Sequence, residues 1–138
     1  MKRKSAHTRM HSTPDSELAL RSVAMPMFAN SSGDIFGGWL LSQMDIAGAS
    51  IATRRAKGRV VTVAITEMFF QRPVFVGDEV SCYAQLVRVG RTSITVKINT
   101  SARRGRTGQK IDVTEGLFTY VAVDSKTKPR PVDRSHRR

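Results

Sequence analysis

One segment with helical periodicity, followed by four with the character of β-strands, constrains this chain more than any other feature. Between Gly37 and about Arg55, the residues Leu41, Met44, Asp45, Gly48, Ala49 and Ala52 recur at three- and four-residue spacing, which predicts one face of a helix. Arg54, Arg55 and Lys57 stand at its C-terminal end, where cations suit the helix dipole, and Gly58 is expected to end it. Upstream, Leu18–Met25 reads as a first strand closed by Pro26, and residues 26–36 read as a loop rich in Asn, Ser, Gly and Asp. Downstream, Val60–Phe70, Glu79–Val89, Ser93–Ser101 and Asp112–Val123 read as strands. Ile94, Val96 and Ile98 alternate with Thr95, Lys97 and Asn99, and Val113, Leu117 and Val121 are expected to share one side of the last strand. Short glycine turns imply antiparallel pairing, and one long helix against such a sheet is an α+β layout.

With 138 residues the chain is one domain's worth of protein. Its single cysteine, Cys82, allows neither an internal disulfide nor a multi-cysteine metal site and suits a reduced thiol in the cytoplasm. The longest uncharged run, Ser22 to Gly33, is too short and too polar to cross a bilayer. No apolar stretch follows the basic first residues as a secretory signal requires, so the cytoplasm is the expected location.

The net charge of +12 raises nucleic-acid binding as a function class, so its distribution matters. Residues 1–13 carry +4, residues 125–138 carry +5, and the body between them only +3. The excess therefore sits in two aromatic-free ends that read as disordered tails, over 1–16 and 125–138, flanking a nearly balanced fold over 17–124.

Asp45 does not fit an apolar helix stripe. A mid-helix aspartate has poor propensity, caps nothing there, and costs several kcal/mol to bury unpaired. One reading puts it at the stripe's edge, solvated or paired with an arginine; the other makes it functional. Gly37-Gly38 lies two turns upstream, where a helix N-terminus presents unpaired N–H groups with no Cβ in the way, a place for a polarised carbonyl or oxyanion or simply for close packing. Asp45 lies roughly 10 Å along the axis from Gly38 at about 1.5 Å per residue. The only histidines, His7, His11 and His136, fall in the tails, which removes Ser-His-Asp, Cys-His and histidine-zinc chemistry. Phosphate-loop and dinucleotide motifs are absent from the sequence. Any catalysis must rest on carboxylates, amides and backbone dipoles, which suits hydrolysis of an already activated bond.

The string MPMFANSSGDIFGGWLLSQMDIAG over residues 25–48 resembles the signature of the YciA-type acyl-CoA thioesterases. VTVA at 61–64, PVFVGD at 73–78, VGRTSI at 89–94 and VTEGLFTYVAVD at 113–124 agree with it, so the resemblance covers roughly residues 18–131. It implies a hot-dog fold, a five-stranded antiparallel sheet wrapped around the central helix. It also implies an acyl-CoA substrate, a homodimer as the minimal active unit, and further assembly into a trimer of dimers, a hexamer. No cofactor or metal is implied, because CoA is part of the substrate and product.

Carried over residue by residue, the resemblance makes Asn30 and Asp45 the catalytic pair, drawn from different protomers. Asp45 would act as general base on water or as a nucleophile, Asn30 would orient the water or carbonyl, and the Gly38 N–H, beside Gly37, would polarise the thioester oxygen. CoA contacts are implied for Gly90, Arg91, Thr92 and Ser93 and for Val60, Val61 and Thr62. Arg91 beside small hydroxyl donors makes sense for CoA phosphates, with a solvated hairpin arginine as the alternative. Trp39, Phe69 and Phe70 are either acyl-tunnel or core residues, with core packing expected. Two other classes remain to be weighed. A hot-dog hydratase would need an Asp–His pair that the body lacks, and a nucleic-acid-binding module would need the tails. No membrane partner is expected.

Overall fold

A computed structural model describes residues 15–133. The ends at 1–14 and 134–138, which hold most of the expected N-terminal tail and the last five residues of the C-terminal one, lie outside the described residues. The elements are β1 (Glu17–Val23), α1 (Gly37–Ala56), β2 (Val60–Phe70), β3 (Glu79–Val89), β4 (Ser93–Arg103) and β5 (Lys110–Ala122), with a short 3-10 turn at Pro26–Phe28. The strands form one sheet in the order β1-β3-β4-β5-β2, and every neighbouring pair is antiparallel. This is the hot-dog layout, with the one long helix packed on one face of the sheet.

The helix meets the sheet through small residues. Ala47, Gly48, Ala52 and Ala56 are buried on α1 with Met44, and they face the bulky Ile94, Val96, Ile98, Phe118 and Tyr120 of the sheet, while Leu40 packs in a second cluster with Ile35, Val74, Val80 and Val113. Small side chains on one element and large ones on the other fill the interface without voids. The buried stripe is turned slightly from the one the sequence predicts. Leu40 is buried where Leu41 was expected, and Asp45 and Ala49 sit at the edge. A run of alanine and glycine gives a weak apolar pattern of its own, so the large sheet residues decide which line of the helix faces in. The helix also ends differently. Lys57, not Gly58, takes the left-handed conformation at the C-cap (φ 54°), and its N–H donates to the Thr53 carbonyl.

The strand phases explain a second difference. On β5 the expected set of Val113, Leu117 and Val121 does not share the helix side; Val113 is buried, but from Gly116 onward the buried residues are Phe118, Tyr120 and Ala122. The register slips between Thr100 and Ser101, where Thr100 faces Thr114 but Ser101 faces Asp112, and one extra β5 residue at this bulge reverses the alternation.

Residues 125–133 do not behave as the disordered tail predicted from their charge. The Arg130 N–H donates to Ala122 O and the Val132 N–H to Arg91 O, Arg130 Nη2 donates to the Ala56 carbonyl at the end of α1, and Arg55 pairs with Asp133 at 2.8 Å. Val132 is buried in the main core. A single well-placed valine and a set of backbone bonds outweigh a polar composition, which is a summed property blind to where each residue lands.

The sheet has two edges, β1 and β2. On β2, Val63, Phe69 and Phe70 are about half exposed or more. Glu67 adopts a left-handed conformation (φ 50°) inside a second bulge, between the pairs Thr66–Leu117 and Phe69–Glu115. The extra residue re-aims the end of the strand. Phe69 and Phe70 are thus not core residues of this chain, contrary to the packing expected for them, whereas Trp39 is half-buried and stacks on Phe28 at 5.2 Å.

Replacing Val132 by Ala should lower unfolding free energy by about 1.5–2 kcal/mol, the value of two buried methylene equivalents, in urea denaturation. Unchanged stability would show that the returning segment adds nothing to the core.

Candidate active site

The helix carries Asp45 at the margin of its buried stripe, half-buried rather than sealed in. Its partners among the described residues are two hydroxyls and no arginine. Thr62 Oγ1, from the start of β2, donates to Asp45 Oδ1 at 2.8 Å. Tyr120 OH, from β5 beneath the helix, lies 3.0 Å from the same Oδ1 and 2.9 Å from the Asp45 main-chain carbonyl. Burial first, then the charge of Asp45 and the hydrogen bond to it, holds the Tyr120 phenol well above its ordinary range, so it remains a donor at neutral pH. The phenol reaches this position because Gly48 lies directly over it. A Cβ on Gly48 would collide with Tyr120 OH.

The N-terminus of α1 is open. Phe36 is its N-cap and provides no side-chain cap bond, and no acidic residue stands in the first turn. The Gly37 and Gly38 N–H groups are therefore left for another acceptor. Nothing lies within 4 Å of where a Gly38 Cβ would be, whereas Gly37 rests against the Phe70 ring at 3.4 Å. A groove of about 270 Å³ opens here between Gly37, Leu40, Ile35, Phe70, Pro73 and Val74. It is mostly apolar and adjoins the free N–H groups.

Asn30 sits at the tip of the tight loop that feeds the helix. Its Oδ1 accepts from the N–H groups of Ser32 (2.8 Å) and Asp34 (3.1 Å), and its own N–H donates to Asp34 O. An asparagine used this way holds its loop with its oxygen and has only its amide N–H groups left to offer a ligand. No hydrogen bond joins Asn30 to Asp45 within the described residues of one chain, so the structure does not bring this predicted pair together in a single protomer.

The two segments predicted to contact CoA flank the same stretch of β5. Val60 pairs with Ala122 and Val61 with Val121, Val121 pairs in turn with Ser93, and the Ala122 N–H donates to Thr92 O. Residues 60–62 and the Gly90–Ser93 hairpin thus lie at the same end of the sheet, joined through β5. The hairpin is closed by the Gly90 N–H to Ser93 O, and Arg91 is exposed. Arg59 spans the neighbouring turn through Asp124 O and Thr127 Oγ1, while Arg54 and Arg55 are engaged by Glu17 and Asp133. Among the described residues no group of three or more His, Cys, Asp or Glu can hold a metal ion, and no helix is long and apolar enough to cross a membrane.

Sequence reasoning assigned Thr62 to CoA and did not single out Tyr120. The available signal for Tyr120 was a polar-tipped ring in an alternating strand together with a glycine on the helix stripe, but the pairing of the two is a tertiary fact. Gly48→Ala should cost about 1–3 kcal/mol of stability, the usual penalty of overpacking, and should displace the phenol from Asp45. Chemical denaturation of the variant measures the first, and a variant as stable as the parent would refute the tight seat.

Residues 32–109 match the family model described as the thioesterase superfamily. The acyl-CoA thioester hydrolase YciA of Salmonella typhimurium is 53% identical over 128 residues, covering 91% of this chain and 96% of the relative. Among solved structures, a hexameric thioesterase from Yersinia pestis superposes with a TM-score of 0.82 at 51% identity, covering 88% of this chain and 98% of that one. A hexameric hotdog fold thioesterase of Campylobacter jejuni gives 0.83 at 43% identity, covering 89% and 95%. The chain belongs to the thioesterase superfamily, among the hot-dog acyl-CoA thioester hydrolases of YciA type.

Proposed function

We propose that this chain hydrolyses acyl-CoA thioesters to free CoA and a carboxylic acid, with Asp45 as the reacting carboxylate. The observation that carries the reading is a half-buried carboxylate held by two hydroxyls on the same helix as an uncapped, glycine-lined N-terminus. As general base, Asp45 takes a proton from water while the water oxygen bonds to the thioester carbonyl carbon. The Gly38 N–H stabilises the charge that develops on the carbonyl oxygen, the C–S bond breaks, and the CoA thiolate leaves with the proton. As nucleophile, Asp45 would instead bond to the same carbon and form a transient anhydride that water opens. Both routes use the same oxygen donors. The apolar groove beside Gly37 suits the acyl chain, and the free amide of Asn30 suits the water or the carbonyl.

In this reading the active unit is a homodimer assembled further into a trimer of dimers, which the hexameric state of the similar thioesterases supports. The β2 edge, with its unpaired backbone groups and exposed Val63, Phe69 and Phe70, supports a second copy there. Asn30 would then serve the Asp45 of its partner. Arg91 with Gly90, Thr92 and Ser93, and the β2 start at Val60 and Val61, receive the CoA moiety, with the guanidinium facing phosphate. The buried Cys82 suits a reducing cytoplasm; burial pushes its thiol up to about 11 against the smaller opposing effect of the Thr100 hydroxyl. It will not contribute to a thiol-release signal.

Asp45→Asn should lose roughly 10²–10⁴-fold in turnover, the range for removing an acid–base group, when CoA release is followed across short, medium and long acyl-CoAs. Turnover like that of the parent would end the hydrolase assignment to this residue. Mixing inactive Asn30→Ala and Asp45→Asn chains, then dissociating and reassociating them, should restore about a quarter of the parent activity, because half of the dimers are mixed and each holds one intact site. No recovery would place both residues in one protomer.

A further inference from the structure

We propose that Thr62 and Tyr120 are positioning residues that occupy Asp45 Oδ1 and so reserve Oδ2 as the oxygen that meets the substrate; this rests on the hydrolase reading above. Both hydroxyls converge on Oδ1, at 2.8 and 3.0 Å, and among the described residues no donor reaches Oδ2. They come from different directions. Tyr120 rises from β5 beneath the helix, through the gap that Gly48 leaves, and Thr62 approaches from the β2 edge beside it. A carboxylate bonded at one oxygen from two strands cannot rotate about its last torsion without breaking a charge-assisted bond. Its second oxygen is then held in one direction with its lone pairs unspent.

The Tyr120 hydroxyl also lies 2.9 Å from the Asp45 main-chain carbonyl, so it sits between the helix backbone and the carboxylate. The single phenol proton is shared between these two acceptors, so Tyr120 holds Oδ1 close to the helix backbone, and Thr62 supplies the second donor to it. Precise orientation matters because a reacting group displaced by about 1 Å can cost 10²-fold in rate. Thr62 accordingly acts through Asp45, and its effect must vanish when Asp45 cannot react.

The test is steady-state thiol release by the full chain with acetyl-CoA and a medium-chain acyl-CoA. Thr62→Val, which keeps shape and removes the hydroxyl, should lower kcat about 10- to 100-fold, the range for losing one hydrogen bond to a charged group, with KM unchanged. Thr62→Ser should restore most of it. Tyr120→Phe should act in the same direction, and thermal unfolding of each variant separates misfolding from misorientation. In the Asp45→Asn background neither substitution should lower turnover further. The proposal is overturned if Thr62→Val raises KM at unchanged kcat, which would make Thr62 a CoA contact. It is equally overturned if Thr62→Val keeps the parent kcat, or if the losses multiply in the Asp45→Asn background. Parent-like turnover by Asp45→Asn alone would instead overturn Asp45 as the reacting carboxylate, and no thiol release by the parent chain would overturn the hydrolase reading, so the failures are distinct.

Discussion

A helix can bring its backbone close to a sheet only where its side chains are small, and α1 does so at Gly48, over the ring of Tyr120. The rest of the structure is arranged around that approach. The alanines flanking Gly48 extend the shallow surface, and Phe118 and the isoleucines of β4 fill the space on either side. Because the phenol ends under the helix, its hydroxyl must find an acceptor there, and the main-chain carbonyl and carboxylate of Asp45 are within reach. Core packing and the placement of the reacting group are therefore one constraint. A carboxylate that would be costly among apolar residues becomes tolerable because the packing itself supplies its donors.

The sheet organises the remainder by where its strands end. β5 lies between β2 and β4, so the two segments expected to receive CoA arrive at one end of the sheet although some thirty residues separate them. The bulge at Glu67 turns the last residues of β2 toward the start of the helix, and Phe70 closes against Gly37 to line a groove. The opposite end of the helix is closed by the returning chain, through Arg130 on the Ala56 carbonyl and Arg55 on Asp133. The cations at this end are in part tied to carboxylates and helix carbonyls. The helix is thus capped at its C-terminus and left open at its N-terminus, where polarised amides are of use.

The elements were legible because their signals are local. Strong β-branched runs, a glycine or proline at each break and one helical repeat give β2 and β3 over their full lengths and the helix to within a residue. Phase and contact were less legible. The reversal along β5 depends on a bulge set by its partner strand, and the small-residue stripe of α1 does not announce which line faces in. The fate of residues 125–133 depends on Val132 finding a vacancy between Arg91 and the helix end, which no window of composition contains.

By itself the sequence determined an α+β domain with one long helix, a misplaced aspartate on that helix, no histidine to assist it within the fold, and paired glycines at the helix start. These follow from periodicity, propensity and inventory, which act residue by residue. Only the tertiary structure decided that Asp45 is held by Thr62 and Tyr120, that Asn30 spends its oxygen on its own loop, and that the Gly90–Ser93 hairpin and the start of β2 reach the same end of the sheet with β5 between them. Each of these is a relation between residues far apart in the chain. Such relations come into being when the sheet closes against the helix, because only then do buried polar groups have to find one another.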